Sequence, residues 1–174
     1  MSKPRVLVAY KKDAYQEYVK DQQDPHLSRL LKAHQPNLLG LKKAHQVHLA
    51  SVEPVVEALD QLPIRYTLKE RHRLRPTSSY DYAVSVGGDG TFLQLARCAH
   101  GALLMGVNSN TQCSEAAYSV ATAETFHTVF SKALQGKLSV LRLPRLTLTL
   151  NGKSLPHLAL NDVLIAHPQP AAMS

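Results

Sequence analysis

The sequence predicts an α/β fold: a Rossmann-like parallel sheet with flanking helices, followed by the start of an antiparallel β domain. Three observations carry that expectation. Short apolar runs recur as "RVLVAY" (Arg5–Tyr10), "YAVSV" (Tyr82–Val86) and "ALLMGVN" (Ala102–Asn108), each with the length of a buried strand. Stretches with helical spacing separate them, and strands alternating with helices are the pattern of a parallel sheet covered on its faces. Beyond about Leu138 the helical period stops, and leucines alternate with threonines instead. The expected division is an α/β domain over residues 1–137 and the beginning of an all-β domain over 138–174.

The elements follow in order. After the first strand, Tyr15 to Ala33 is polar and helix-like. Tyr15, Tyr18, Leu27, Leu30 and Leu31 make one face, and Pro25 starts a new helix. His34 to His48 reads as irregular, with Pro36 and Gly40 as breakers. Ser51 is expected to N-cap a helix running to about Leu62, with Glu53 and Pro54 in its first turn and Val52, Val55, Val56 and Leu59 at helical spacing. "IRYTL" (Ile64–Leu68) alternates like a strand. Phe92, Leu95 and Ala96 predict a helix over Thr91–Ala99. Phe126, Val129, Phe130 and Leu134 predict another over Thr122–Gln135, ended by Gly136. In the last segment Leu146, Leu148 and Leu150 alternate with Thr147 and Thr149, and Asn151-Gly152 is a strong hairpin signal. A strand over Leu158–Ile165 is expected to pair back. Two or three such strands do not close a sheet alone. The expectation is therefore the N-terminal part of a longer protein, or a β unit completed by a partner chain.

Composition narrows the function classes. The chain has 174 residues, 44% hydrophobic and 19% charged, enough for a sizeable core. No run of about 18 apolar residues occurs, so no transmembrane helix and no membrane partner is expected. The apolar run Val6–Tyr10 is too short for a secretory leader. Cys98 and Cys113 do not make a disulfide framework, which points to a reducing, cytoplasmic setting. Net charge is +7, from 20 Lys+Arg against 13 Asp+Glu. The excess is spread thinly apart from "KERHRLR" (Lys69–Arg75), read as a solvated connector, with attraction of polyanions as the alternative. Aromatic residues are 6% of the chain and do not interleave with the basic ones, so nucleic acid is not an expected partner.

The strongest local signal is "VSVGGDGTFLQLARC" (Val84–Cys98), a strand, a glycine-rich turn and a helix. Gly87, Gly88 and Gly90 let a ligand approach the backbone closely. Thr91 is placed to cap the helix, whose N-terminus favours anions. It is neither a Walker A loop nor a complete G-x-G-x-x-G. An acid, Asp89, sits where a plain anion-binding turn would exclude one. Phosphoryl transfer explains it: a carboxylate beside the phosphates can accept a proton from an attacking hydroxyl, or help hold Mg²⁺ through water. His45 and His48 are spaced like a metal pair, but no further ligand set joins them, so no metal site is assigned. Cys98 reads as a core residue, Cys113 as a loop residue without a base, and His157 and His167 as strand ends.

"GGDGT" (Gly87–Thr91), "MGVN" (Met105–Asn108) and "ALNDVLI" (Ala159–Ile165), in that order, resemble the NAD kinase family. The resemblance covers roughly Arg5 to the end, and the third motif makes it specific, because diacylglycerol and sphingosine kinases share only the first. It implies transfer of the γ-phosphoryl of ATP, with Mg²⁺ or another divalent cation, to the 2′-hydroxyl of the adenosine ribose of NAD. Asp89 then corresponds to the proposed general base, and Gly87, Gly88, Gly90 and Thr91 to the phosphate turn. Asn161 and Asp162 correspond to the N-[DE] pair that holds the nucleoside, and Asn108 to the "GVN" asparagine. The expected partners are NAD and ATP, and the expected assembly is a homo-oligomer, a dimer or tetramer. The family's common G-x-L-G-F/Y segment after GVN is replaced by "SNTQCSEAAYSV", whose Ser114 and Glu115 match the divergent, mitochondrial-type branch. The family's later T-G-S/T motif is absent, so part of the nucleotide site is expected to be missing and the chain alone inactive. The alternatives are a lipid or other small-molecule kinase of the same superfamily, and a non-catalytic nucleotide-binding fragment.

Overall fold

The computed structural model describes residues 2–12, 15–32, 36–111, 115–156 and 158–163. The chain divides into two compact units, Met1–Ser139 and Val140–Ser174. In the first, β1 (Arg5–Tyr10) leads through a π-helical turn, Tyr15–Asp21, into α1 (Pro25–Lys32) and α2 (Pro36–Asp60). Then come β2 (Arg65–Glu70), a 3₁₀ turn (Arg71–Arg73), β3 (Tyr82–Gly87), α3 (Asp89–Cys98), β4 (Leu103–Asn108), β5 (Ser119–Thr122) and α4 (Phe126–Leu134). The five strands pair in parallel in the order β2-β1-β3-β4-β5. This is a Rossmann-like α/β sheet of the doubly wound kind.

Strand alternation sorts the core into two layers. Val6 and Val8 of β1 face one side, with Val84, Val86 and Val107, and are covered by Val55 and Leu59 of α2 and Phe126 and Phe130 of α4. Leu7 and Ala9 face the other side, with Ala83, under Leu95 and Cys98 of α3. Burial on both faces explains why β1 and β3 read as apolar runs, interrupted in β3 only by the small, buried Ser85. It also accounts for Cys98 as a small core side chain, 5% exposed.

Several local expectations change. The breakers at Pro36 and Gly40 do not break: α2 is one helix of 25 residues. Pro36 takes its first position, where a missing N–H is harmless. Ser51 is an interior residue and not an N-cap. Its hydroxyl is shared between the Val47 carbonyl one turn back (2.9 Å) and the Ser109 carbonyl after β4 (2.7 Å). Pro54 also lies inside the helix, where it removes one backbone donor, at a cost of about 3 kcal/mol that core burial of its neighbours offsets. Hydrophobic periodicity found the C-terminal part of this helix, from Ser51 on, but missed the part before it, because the buried stripe there is polar: His45, His48 and Ser51 precede Val55 and Leu59.

The helix expected over Thr122–Gln135 divides into a strand, β5, and α4, which starts at Phe126. Gly136 does end it, with φ +67°, and the Lys137 N–H donates back to the Lys132 carbonyl (2.9 Å). Asp24 caps α1, its Oδ1 accepting from the N–H groups of His26 (2.8 Å) and Leu27 (3.0 Å).

In the second unit, β6 (Thr149–Leu150) and β7 (Lys153–Ser154) form an antiparallel hairpin. Asn151 and Gly152 turn it with φ of 49° and 78°, the left-handed pair such a turn needs. The return thus begins with Lys153–Ser154, immediately after the turn, and the expected pairing of Leu158–Ile165 is met, among the described residues, at Ala159 alone. Ala159 adds one isolated antiparallel bridge to Leu146, and residues 164–165 lie outside the described residues.

Candidate functional site

Parallel sheets bind ligands beyond the carboxyl ends of their strands, at the point where strand order reverses. Here that point lies between β1 and β3. β2 lies outside β1 in one direction, while β4 and β5 continue beyond β3 in the other. The glycine turn follows β3 directly at this point. In register, Tyr10 of β1 pairs with Val86, and Gly87 pairs with Asn108 of β4. Two motifs whose paired residues, Gly87 and Asn108, are 21 positions apart in sequence therefore meet side by side on one sheet edge.

The turn is built tightly. A Cβ on Gly87 would lie 2.6 Å from Thr91 Oγ1 and 3.0 Å from Thr91 Cβ, so only glycine fits there. The N-cap of α3 is Gly88, and no side chain caps it. Thr91 is the third residue of the helix, not its cap. Its side chain is 1% exposed and packs beneath the turn against Gly87. Of the first-turn N–H groups of α3, that of Thr91 donates to the Gly88 carbonyl (3.0 Å), while those of Asp89 and Gly90 have no acceptor within the helix, as at any helix start.

Asp89 opens α3, half-buried, and its carboxylate is engaged. Oδ2 accepts from the Ala117 N–H (3.2 Å) and Oδ1 from the Tyr118 N–H (3.1 Å). An ionised carboxylate has about four acceptor positions, so capacity remains for a hydroxyl proton. These two bonds hold the segment Glu115–Tyr118 against the turn. The Tyr118 ring also stacks on Phe92 of α3, centroids 5.0 Å apart and planes parallel. Ala116 takes φ 44° to make the bend.

Gly106 explains how that segment comes so close. A Cβ on Gly106 would collide with the Tyr118 carbonyl oxygen and lie 2.9 Å from Ser119 Cα. The register of β4 against β5 shifts at the same place, between Gly106 and Val107. The glycine of "GVN" is thus a close-approach residue that lets Tyr118 reach Asp89.

Asn108 ends β4, and its Oδ1 accepts from the Asn110 N–H (2.9 Å). It opens on a cleft of about 250 Å³ lined with Glu115, Ala116, Thr122 and Thr125. At its rim Thr122 donates its hydroxyl to Glu124 (2.6 Å), which holds that carboxyl below its usual range. At the end of β1, burial and then the Glu70 carboxylate push the Tyr10 phenol up.

The structure brings Gly87, Gly88, Asp89, Gly90 and Asn108 together on one edge, with Thr91 beneath them. Asn161 and Asp162 belong to the second unit, and both are exposed. Cys113, Ser114, His157 and His167 lie outside the described residues. Among the described residues no group of three or more His, Cys, Asp or Glu could hold a metal, and no helix is long and apolar enough to cross a membrane. His45 and His48 are both buried on α2, and the Tyr15 ring lies 5.1 Å from His45.

Three contributors escape sequence reading: the backbone donors of Ala117 and Tyr118, Ser51 beneath the Asn108 turn, and Arg71 beside Gly90. The first two leave no local signal. The third lay in "KERHRLR", where charge density alone did not separate it from its neighbours.

No protein-family model matches the chain. It is 34% identical over 115 residues to a protein described as "Probable NADH kinase" from Oryza sativa subsp. japonica, a similarity that covers 57% of the chain and 35% of that protein. The chain thus spans about a third of the length of the curated relative it matches.

Proposed function

We propose that the chain is part of an NAD(H) kinase, which moves the γ-phosphoryl of ATP to the 2′-hydroxyl of the adenosine ribose of a nicotinamide dinucleotide. The observation that carries this reading is the Gly87–Asn108 pairing, which sets the acid-bearing glycine turn beside the "GVN" asparagine at the sheet's switch point. The similarity to a protein named as an NADH kinase supports the same class.

In this reading Asp89 accepts the proton of the 2′-hydroxyl as that oxygen bonds to the γ-phosphorus. The bond from the γ-phosphorus to the β–γ bridging oxygen breaks, and ADP leaves. The N–H groups of the glycine turn face the phosphates. Asn161 and Asp162 would hold the nucleoside, the amide both donating and accepting and the carboxylate accepting from ribose hydroxyls. Asn108 and the Glu115–Tyr118 segment would border the dinucleotide. A Mg²⁺ ion suits the hard oxygen donor at the turn, Asp89, and would neutralise phosphate charge when bound.

The test is a substrate panel of NAD, NADH and diacylglycerol, run with the native chain and Asp89→Asn, with calorimetry for binding. Loss of the base should lower turnover by at least about a hundredfold. The remaining amide oxygen still accepts one of the two backbone N–H bonds, so dinucleotide affinity should fall by less than about tenfold. Normal turnover by Asp89→Asn would remove the base assignment. Phosphorylation of diacylglycerol in place of NAD(H) would move the chain to a lipid kinase. Binding of NAD(H) and ATP without turnover would identify a nucleotide-binding unit.

A further inference from the structure

We infer that Arg71 is the cation that grips the polyphosphate chain of the phosphoryl donor over the Gly87–Gly90 turn, a role that rests on the kinase reading above. The 3₁₀ turn Arg71–Arg73 follows β2 without a break, which brings it to the same carboxyl edge as the end of β3. There it packs on α3. The Arg71 Nη1 atom lies 3.6 Å from the point a Cβ on Gly90 would occupy. No side chain on Gly90 stands between the guanidinium and the turn.

The local carboxylates lie nearest groups other than Arg71, although the buried Glu70 Oε2 makes no hydrogen bond. Glu70 Oε2 lies 2.8 Å from His72 Nε2 and 3.3 Å from Arg73 Nε. Asp89 accepts from Ala117 and Tyr118. Among the described residues the Arg71 guanidinium has neither a hydrogen-bond nor an ion-pair partner. A half-buried guanidinium without an anion is unfavourable, and its planar fork of donors matches phosphate oxygens bidentately. The helix start alone would bind any small anion weakly. The guanidinium beside it adds the reach and charge that a chain of phosphates needs.

The experiment measures binding of AMP, ADP, ATP and inorganic tripolyphosphate to the native chain, Arg71→Gln and Arg71→Lys by calorimetry at fixed salt, with NADH as a further ligand. Affinity should climb with phosphate number in the native chain. In Arg71→Gln it should drop about 10- to 100-fold for ATP and tripolyphosphate, the scale of one lost charge-assisted contact. AMP and NADH should change by less than about threefold, and Arg71→Lys should fall between. A merely structural role would lower all ligands together or lower the melting temperature alone. Native affinity for tripolyphosphate in Arg71→Gln overturns the inference, as does a native chain that binds no tripolyphosphate. Should Arg71→Gln not fold, Arg71→Lys decides: undiminished tripolyphosphate binding together with a flat ladder of phosphate number overturns it. An Arg71-dependent ladder in a chain that neither binds nor phosphorylates NAD(H) sinks the kinase reading and leaves the phosphate grip standing. NAD(H) phosphorylation with an unchanged KM for ATP in Arg71→Gln does the reverse.

Discussion

Gly106→Ala is the sharpest test of how the site is held together. The new methyl group would meet only backbone: the Tyr118 carbonyl oxygen, Tyr118 C at 3.0 Å and Ser119 Cα at 2.9 Å. Backbone atoms have no rotamer to escape into, so β5 must move away from β4. Overpacking of this kind costs about 1–3 kcal/mol. The displacement also pulls the Ala117 and Tyr118 N–H groups off Asp89, bonds of 3.2 and 3.1 Å to a carboxylate. Hydrogen bonds to charged groups contribute about 1.5–3 kcal/mol each when shielded, and partial exposure here reduces the pair to about 1–2 kcal/mol. The sum is about 2–5 kcal/mol, a large share of the roughly 5–15 kcal/mol that holds a domain together. In urea, with a slope of about 1–3 kcal/mol per molar, the midpoint should fall by at least about 0.7 M. Hydrogen exchange should show the Ala117 and Tyr118 amides losing protection. Gly40→Ala is the control: the space around Gly40 is open and it lies within α2, so the same change there should stabilise by about 0.5–1 kcal/mol. An unchanged midpoint in Gly106→Ala, with both amides still protected, would refute the close approach as the cause of Asp89's anchoring.

Two other perturbations test neighbouring parts of the argument. Ser51→Ala removes the donor to the Ser109 carbonyl, leaving a buried acceptor without that partner; stability to urea should fall by about 1–3 kcal/mol, and no loss would show that α2 does not support the Asn108 turn. The Tyr66 phenol donates to Asp60 (2.6 Å), and that bond, then burial, raises its pKa above the usual 10.0. The folded state therefore holds this proton more tightly than the unfolded state, so the contribution is complete below about pH 10 and is lost as pH rises through the folded value. Thermal melts between about pH 8 and pH 11 should decline less steeply in Tyr66→Phe than in the native chain. The decline should persist in part, since the Tyr10 phenol is raised as well. Equal slopes would remove Tyr66 from the alkaline transition.

Much of the α/β unit is legible in one dimension. β1, β3 and β4 announce themselves because interior parallel strands bury both faces and so become near-continuous apolar runs. The first half of α2 hides for the opposite reason: Val52, Val55, Val56 and Leu59 mark its second half, but the buried stripe before them uses His45, His48 and Ser51, which an apolar period does not count. β5 hides because it is four residues long with one buried side chain, Ala121. The hairpin turn at Asn151-Gly152 was plain, since left-handed backbone preference belongs to the residues themselves. The pairing that follows it was misplaced, since register depends on the partner strand.

The same division runs through the site. The glycine turn with its acid could be found from spacing alone, because chain reversal, close approach and a charge among glycines are properties of five adjacent residues. What surrounds it was settled only when the chain folded. The Asp89 carboxylate reaches donors 28 and 29 residues away, Ser51 reaches a carbonyl 58 residues away, and Arg71 reaches the turn from another strand. Each of these contacts exists because parallel strands deliver their carboxyl ends to one edge, whatever their separation along the chain. Strand order and the clearance at Gly106 decide which groups meet there, and neither leaves a mark on local sequence.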